Sequence, residues 1–99
     1  MQVGYCVLVV DTQDAASLKE KRNVLRSIKQ KLRGTFNVSV AEVGRQDLLQ
    51  EGLLGVVSVS GDYLYLEGLL QKLLDALERW FPGRISGSDV QIRQVLPGD

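Results

Sequence analysis

Histidine is absent from this sequence, cysteine occurs once, and the formal charges cancel, with twelve basic and twelve acidic side chains in 99 residues. Each shortage removes a class of function. Without histidine, zinc loses its commonest ligand, and acid–base and nucleophile relays lose their usual partner. Cys6 alone cannot close an internal disulfide or build a multi-cysteine metal site. Zero net charge leaves no whole-molecule field to hold the protein on nucleic acid or an anionic membrane. Apolar runs are short: "MQVGYCVLVVD" has no basic start and its apolar stretch ends at Asp11, unlike a secretory signal. No segment approaches the ~20 apolar residues of a membrane span. These absences predict a soluble, cytoplasmic protein with no membrane association, and they point to no metal, cofactor or small-molecule ligand.

What the chain does have is 44% hydrophobic residues, enough for one core, and no long linker, low-complexity segment or clear repeat. A single domain over residues 1–99 is expected. Its charge is unevenly spread. "SLKEKRNVLRSIKQKLR", residues 17 to 33, holds seven basic side chains and one acidic, a local +6 that the rest of the chain balances.

Periodicity divides the chain into six elements. "QVGYCVLVV", residues 2 to 10, is β-rich and apolar on both alternating faces, the pattern of a central strand. "SLKE" is a capping box, in which the Ser17 hydroxyl accepts from the third helical amide while Glu20 reaches back to the cap. At about 100° per residue, Leu18, Val24, Leu25, Ile28 and Leu32 share one side of the helix that follows, and Lys19, Arg22, Arg26, Lys29 and Arg33 form a stripe beside them. Gly34 is the expected stop. "TFNVSVAEV", residues 35 to 43, alternates like a half-buried strand, "GRQDLLQEG" connects, and "LLGVVSVS", residues 53 to 60, is a third strand. A broad apolar helical face runs from Leu66 to Phe81, ended by Pro82 and Gly83. "SDVQIRQVL" is the last strand, with Val90 and Ile92 inward and Gln91 and Arg93 outward.

The order βαββαβ predicts an α+β, ferredoxin-like sandwich: a four-stranded antiparallel sheet with both helices on one face. The first and third strands should be central. Their uncovered face would carry Tyr5, Val7 and Val9, an apolar surface of the kind hidden by a partner or used to bind, and a homodimer is expected that uses this face or an edge strand.

In combination, "SLKEKR" after a short acidic loop, "FNVSVAEV", "QDL", and "LGVVSVS" leading into "GD" make the chain resemble the YlxP-like family of small bacterial proteins, catalogued as a domain of unknown function. The resemblance covers nearly the whole chain. It implies a ferredoxin-like fold, a cytoplasmic location, no established activity, and a genomic association with translation and ribosome maturation. Many members carry an acidic or amide residue and then histidine where this chain has Gly44 and Arg45. A histidine-dependent activity is therefore not expected here.

Other chemistries of this fold each require a particular site. An acylphosphatase-like loop needs amides and an arginine facing phosphate, whereas "DTQDAAS" offers two aspartates and neither glycine nor arginine. A metallochaperone needs paired thiols, and Cys6 is single and mid-strand. An RNA-recognition sheet stacks bases on aromatics, but the third strand has none and Tyr5 is the one candidate. Glu42, Arg45, Gln46 and Asp47 make a polar corner of unassigned role, read first as loop-backbone hydrogen bonding or a helical cap. No catalytic, cofactor-binding or metal-binding residue is assigned. Two readings stand: RNA or ribosome association through Lys19, Arg22, Arg26, Lys29 and Arg33, or a structural or regulatory homodimer module that contacts a protein partner and no nucleic acid.

Overall fold

The computed structural model describes residues 1–96, so the last three residues of the expected single domain lie outside the described residues. The order is β1 (Gln2–Asp11), α1 (Leu18–Thr35), β2 (Ser39–Gly44), β3 (Glu51–Ser60), α2 (Tyr63–Trp80) and β4 (Ile85–Gln94). The strands form one antiparallel sheet in the order β2-β3-β1-β4. This is the ferredoxin-like arrangement, with β1 and β3 central. Helix α1 lies over β2 and β3, and α2 over β1 and β4.

Alternation along the central strands places Cys6, Leu8 and Val10 of β1, and Leu54 and Val56 of β3, against the helices. Leu25, Ile28 and Leu32 of α1 meet them, as do Leu69, Leu70, Leu73 and Leu77 of α2. Each fully buried leucine is worth about 1.5–3 kcal/mol of transfer free energy, so this two-layer core holds the sheet flat against the helix pair. Gly52 permits the close approach of α1 to β3, because a Cβ there would meet Leu25 Cδ1 at 2.9 Å.

Both helix starts follow local chemistry. Ser17 accepts from the Glu20 amide at 3.2 Å, and Glu20 Oε2 accepts from the Ala16 amide at 2.6 Å, one residue ahead of the cap. The Asp62 carboxylate caps α2 through Leu64 and Tyr65. Gly34 does not stop α1. The helix runs to Thr35 and ends where the Phe36 amide donates to the Leu32 carbonyl at 2.9 Å, with the Phe36 ring packing 6.2 Å from Trp80. Burial of an aromatic ring, rather than glycine freedom, sets the end, and β2 starts later than the alternation suggested, at Ser39.

The core stripe of α1 also needs a correction. Leu18 is 39% exposed, while Lys21 is 2% exposed. On the helical wheel Lys21 falls between Ile28 and Leu32, in the middle of the buried sector. Its stem packs beneath β3, and its ammonium emerges under the turn between β2 and β3.

Candidate nucleic-acid interface

Lys19, Arg22, Arg26, Lys29 and Arg33 fall within about 80° of the α1 wheel, on the flank that faces the edge strand β2. Arg33 identifies that flank, because its guanidinium donates to the Val40 carbonyl of β2. The opposite flank carries Lys31, whose ammonium lies 5.1 Å from the centroid of the Trp80 ring. Lys29 is half-buried, and the other four stripe residues are exposed. Over fourteen residue steps the stripe runs about 21 Å, long enough to follow several phosphates.

None of the five is in an ion pair among the described residues. The two ion pairs found there are Arg45–Glu51 and Arg84–Asp14, both away from the stripe. Arg26 donates to the Asn23 side chain at 3.1 Å, a neutral acceptor that leaves its charge uncompensated. The polar corner meets the stripe at its N-terminal end, where Leu18, Lys21, Arg22, Glu42, Gln46 and Asp47 line a hollow of about 300 Å³. Glu42 and Asp47 share this hollow with Lys21 and Arg22.

The corner has a different organiser from the one the sequence suggested. Lys21 Nζ donates to the carbonyls of Arg45, at 2.6 Å, and Leu48. Arg45 takes a left-handed backbone conformation, φ 58°, which turns its carbonyl inward, while its side chain leaves the corner to pair with Glu51. Buried Thr12 holds the same loop through a 2.8 Å bond to the Leu49 carbonyl. Neither Gln46 nor Asp47 supplies the cap: a buried ammonium fastens this turn.

At the far end of β1 the structure supplies an arginine that the local sequence lacked. Arg84, from the α2–β4 connection, reaches Asp14 with bonds of 2.6 and 3.0 Å and donates to the Asp11 carbonyl at 3.0 Å. The hydrogen bond from Arg84 holds the Asp14 carboxyl below its usual range, and the partnership raises the arginine in turn. With its guanidinium engaged by Asp14, the loop is a clamp between two connections rather than an anion cradle. Cys6 is buried on the helix side of β1, and burial pushes its thiol up to about 11.

The uncovered sheet face is apolar across three strands. Tyr5, Val7 and Val9 lie there as expected, each half-buried, beside Val57, 37% exposed, and Val59, 55% exposed. Gly55 opens a depression of about 360 Å³ bounded by Tyr5, Val7, Ala41, Val43 and Val57. A Cβ at Gly55 would come 2.9 Å from Val43 Cγ1, so the glycine also makes room for that neighbour. Charge on this face lies at its margins among the described residues: Asp89 and Arg93 on the β4 edge, and Asp11 and Glu51 at the end where β1 finishes and β3 begins. Among the described residues, no helix is long and apolar enough to cross a membrane.

Fold and surface together define a small ferredoxin-like protein with one basic helix flank and an open apolar sheet. The model of DUF503, a protein family of unknown function, matches residues 3–90, and the chain belongs to that family. It is 39% identical over 72 residues to the uncharacterized protein YlxP of Bacillus subtilis (strain 168), a stretch that covers 73% of this chain and 78% of that one. Among solved structures, one described as a "putative antibiotic biosynthesis monooxygenase" from Deinococcus radiodurans aligns over 96% of this chain and 92% of its own, with 15% identity and a TM-score of 0.53. A de novo designed protein with a ferredoxin fold aligns over 100% of this chain and 90% of its own, at 10% identity and a TM-score of 0.47. At such identities the likeness concerns the fold alone.

Proposed function

We propose that this protein is a non-enzymatic, cytoplasmic binding module that associates with structured RNA, ribosomal RNA included, through the α1 stripe. The observation that carries the reading is the convergence of Lys19, Arg22, Arg26, Lys29 and Arg33 on one flank with no carboxylate in an ion pair with any of them among the described residues. A solvated helix face usually mixes its charges, and unpaired cations of one sign along a helix are the electrostatic footprint of a polyanion. Recognition would be of phosphate spacing and shape, since the stripe contains no aromatic to stack on a base. The genomic association with translation that the family resemblance implies is in keeping with this reading.

The test is binding of the purified protein to a structured RNA hairpin, compared with the Arg22→Glu, Arg26→Glu double variant. Both side chains are exposed, so the variant should keep its circular dichroism and melting temperature while its RNA affinity falls at least about tenfold. Equal affinity in the folded double variant contradicts the proposal. If the native protein retains no RNA from a nuclease-free extract and instead captures an acidic protein, the competing module reading holds.

A further inference from the structure

The open sheet face has an internal symmetry that identifies what covers it. Strand register arranges its outward side chains in rows across the sheet. Val3, Val59 and Arg93 form one row, Tyr5, Val57, Gln91 and Ser39 the next, and Val7, Gly55, Asp89 and Ala41 the third. The first and third rows are complementary in shape and charge. Val59 is a protruding side chain, 55% exposed, where Gly55 is a gap, and Arg93 is a cation where Asp89 is an anion.

We propose that a second copy of this chain covers the face, related by a two-fold axis that crosses the strands along the Tyr5–Val57–Gln91 row. That rotation lays the first row of one copy on the third row of its partner. Val59 then enters the depression at Gly55 of the partner, Val3 meets Val7, and Arg93 faces Asp89, each contact occurring twice as a self-complementary interface requires. An axis parallel to the strands is excluded by charge, because it would press the Asp89 and Arg93 edge of β4 onto Ser39, Ala41 and Val43 of β2. The crosswise axis pairs those charges instead. Neither residue has an ion-pair partner within its own chain among the described residues, and Asp89 accepts only a 3.4 Å bond from Gln91.

Centred on the Tyr5–Val57–Gln91 row, the overlap takes in about seven residues of each of β1, β3 and β4 and little of the six-residue β2. It projects roughly 330 Å² per copy before side-chain relief is counted, below the ~800 Å² per partner of a standard stable interface, so the dimer should depend on concentration. Facing sheets pack about 10 Å apart, a gap that valines and two central tyrosines fill. The same axis leaves both α1 stripes on the β2 side of the dimer, one on each outer layer. The dimer does not depend on RNA binding.

Sedimentation velocity on the full chain, over a concentration series, tests this. The native protein should be dimeric. Asp89→Arg alone and Arg93→Asp alone should each raise the dimer Kd by about a hundredfold, since two attractive pairs become two repulsive ones. The double exchange Asp89→Arg, Arg93→Asp should restore dimerisation, and Val59→Asp should abolish it while circular dichroism stays native. A monomeric native protein overturns the proposal. So does a dimer indifferent to Val59→Asp, which would place the contact on the β2 edge, or a double exchange no better than either single change.

Discussion

Replacing Lys21 with methionine probes the least expected feature of the molecule, a lysine 2% exposed whose ammonium is held by two backbone carbonyls. Hydrogen bonds from a charged donor contribute about 1.5–3 kcal/mol each, so losing both bonds puts up to about 3–6 kcal/mol at stake. Two effects offset the loss. Methionine keeps the alkyl packing under β3 and removes the desolvation cost of a buried charge, and the turn of Arg45 and Leu48 is exposed, so water can reach the abandoned carbonyls. A net destabilisation of about 2 kcal/mol is expected, a large share of the roughly 5–15 kcal/mol that holds a domain folded. With a urea dependence near 1–2 kcal/mol per molar, the unfolding midpoint should fall by about 1–2 M. Exchange of the Leu48 amide, bonded to the Arg45 carbonyl at 3.2 Å, should accelerate as the turn loosens. Lys19→Met on the exposed flank is the control and should shift stability by no more than about 0.5 kcal/mol. Equal midpoints for the two variants would refute the account of Lys21 as the fastener of this loop.

Two further expectations concern titrating groups. The folded-state pKa of Asp14 is lowered by Arg84, so the clamp stabilises the fold above the ordinary carboxylate range and its contribution is lost as pH falls through the lowered value. Asp14→Asn should flatten the acid limb of a stability-versus-pH curve, and an unchanged acid limb counts against the clamp. For Cys6, a pKa raised from 9.0 to about 11 leaves the thiol protonated at pH 8. Its thiolate fraction there is about a hundredfold below that of a free cysteine, so labelling by a disulfide reagent should be slower by at least that factor and reach the ordinary rate only in denaturant. Fast labelling of the native protein would show that β1 is open on the helix side.

The elements were largely legible because their signals are local. The Ser17–Glu20 box, the apolar spacing from Leu66 to Leu77, and the alternation of "QVGYCVLVV" all act within a few residues, and the fold order followed from them. Tyr5, Val7 and Val9 could be placed on the open face by alternation alone. What was not legible depends on partners distant in sequence. Lys21 escapes a local reading because a cation near the centre of a helix face is stable only if something supplies acceptors, and those carbonyls come from a turn 24 to 27 residues away. Leu18, at the first position of α1, is left 39% exposed rather than in the core. The Arg84 that answers Asp14 lies 70 residues along the chain. Gly34 has the chemistry of a stop, since glycine often ends helices, yet α1 continues to Thr35, where Phe36 packs on Trp80.

The central claim, that the α1 stripe is a phosphate-binding surface, is tested most directly by the salt dependence of RNA affinity. Each neutralised phosphate contributes about −0.9 to the slope of log K against log salt for a duplex, so engagement of four or five stripe cations predicts a slope near −4, reduced in magnitude by about 2 in the Arg22→Glu, Arg26→Glu variant. A slope near zero, or one that the double variant leaves unchanged, contradicts the claim.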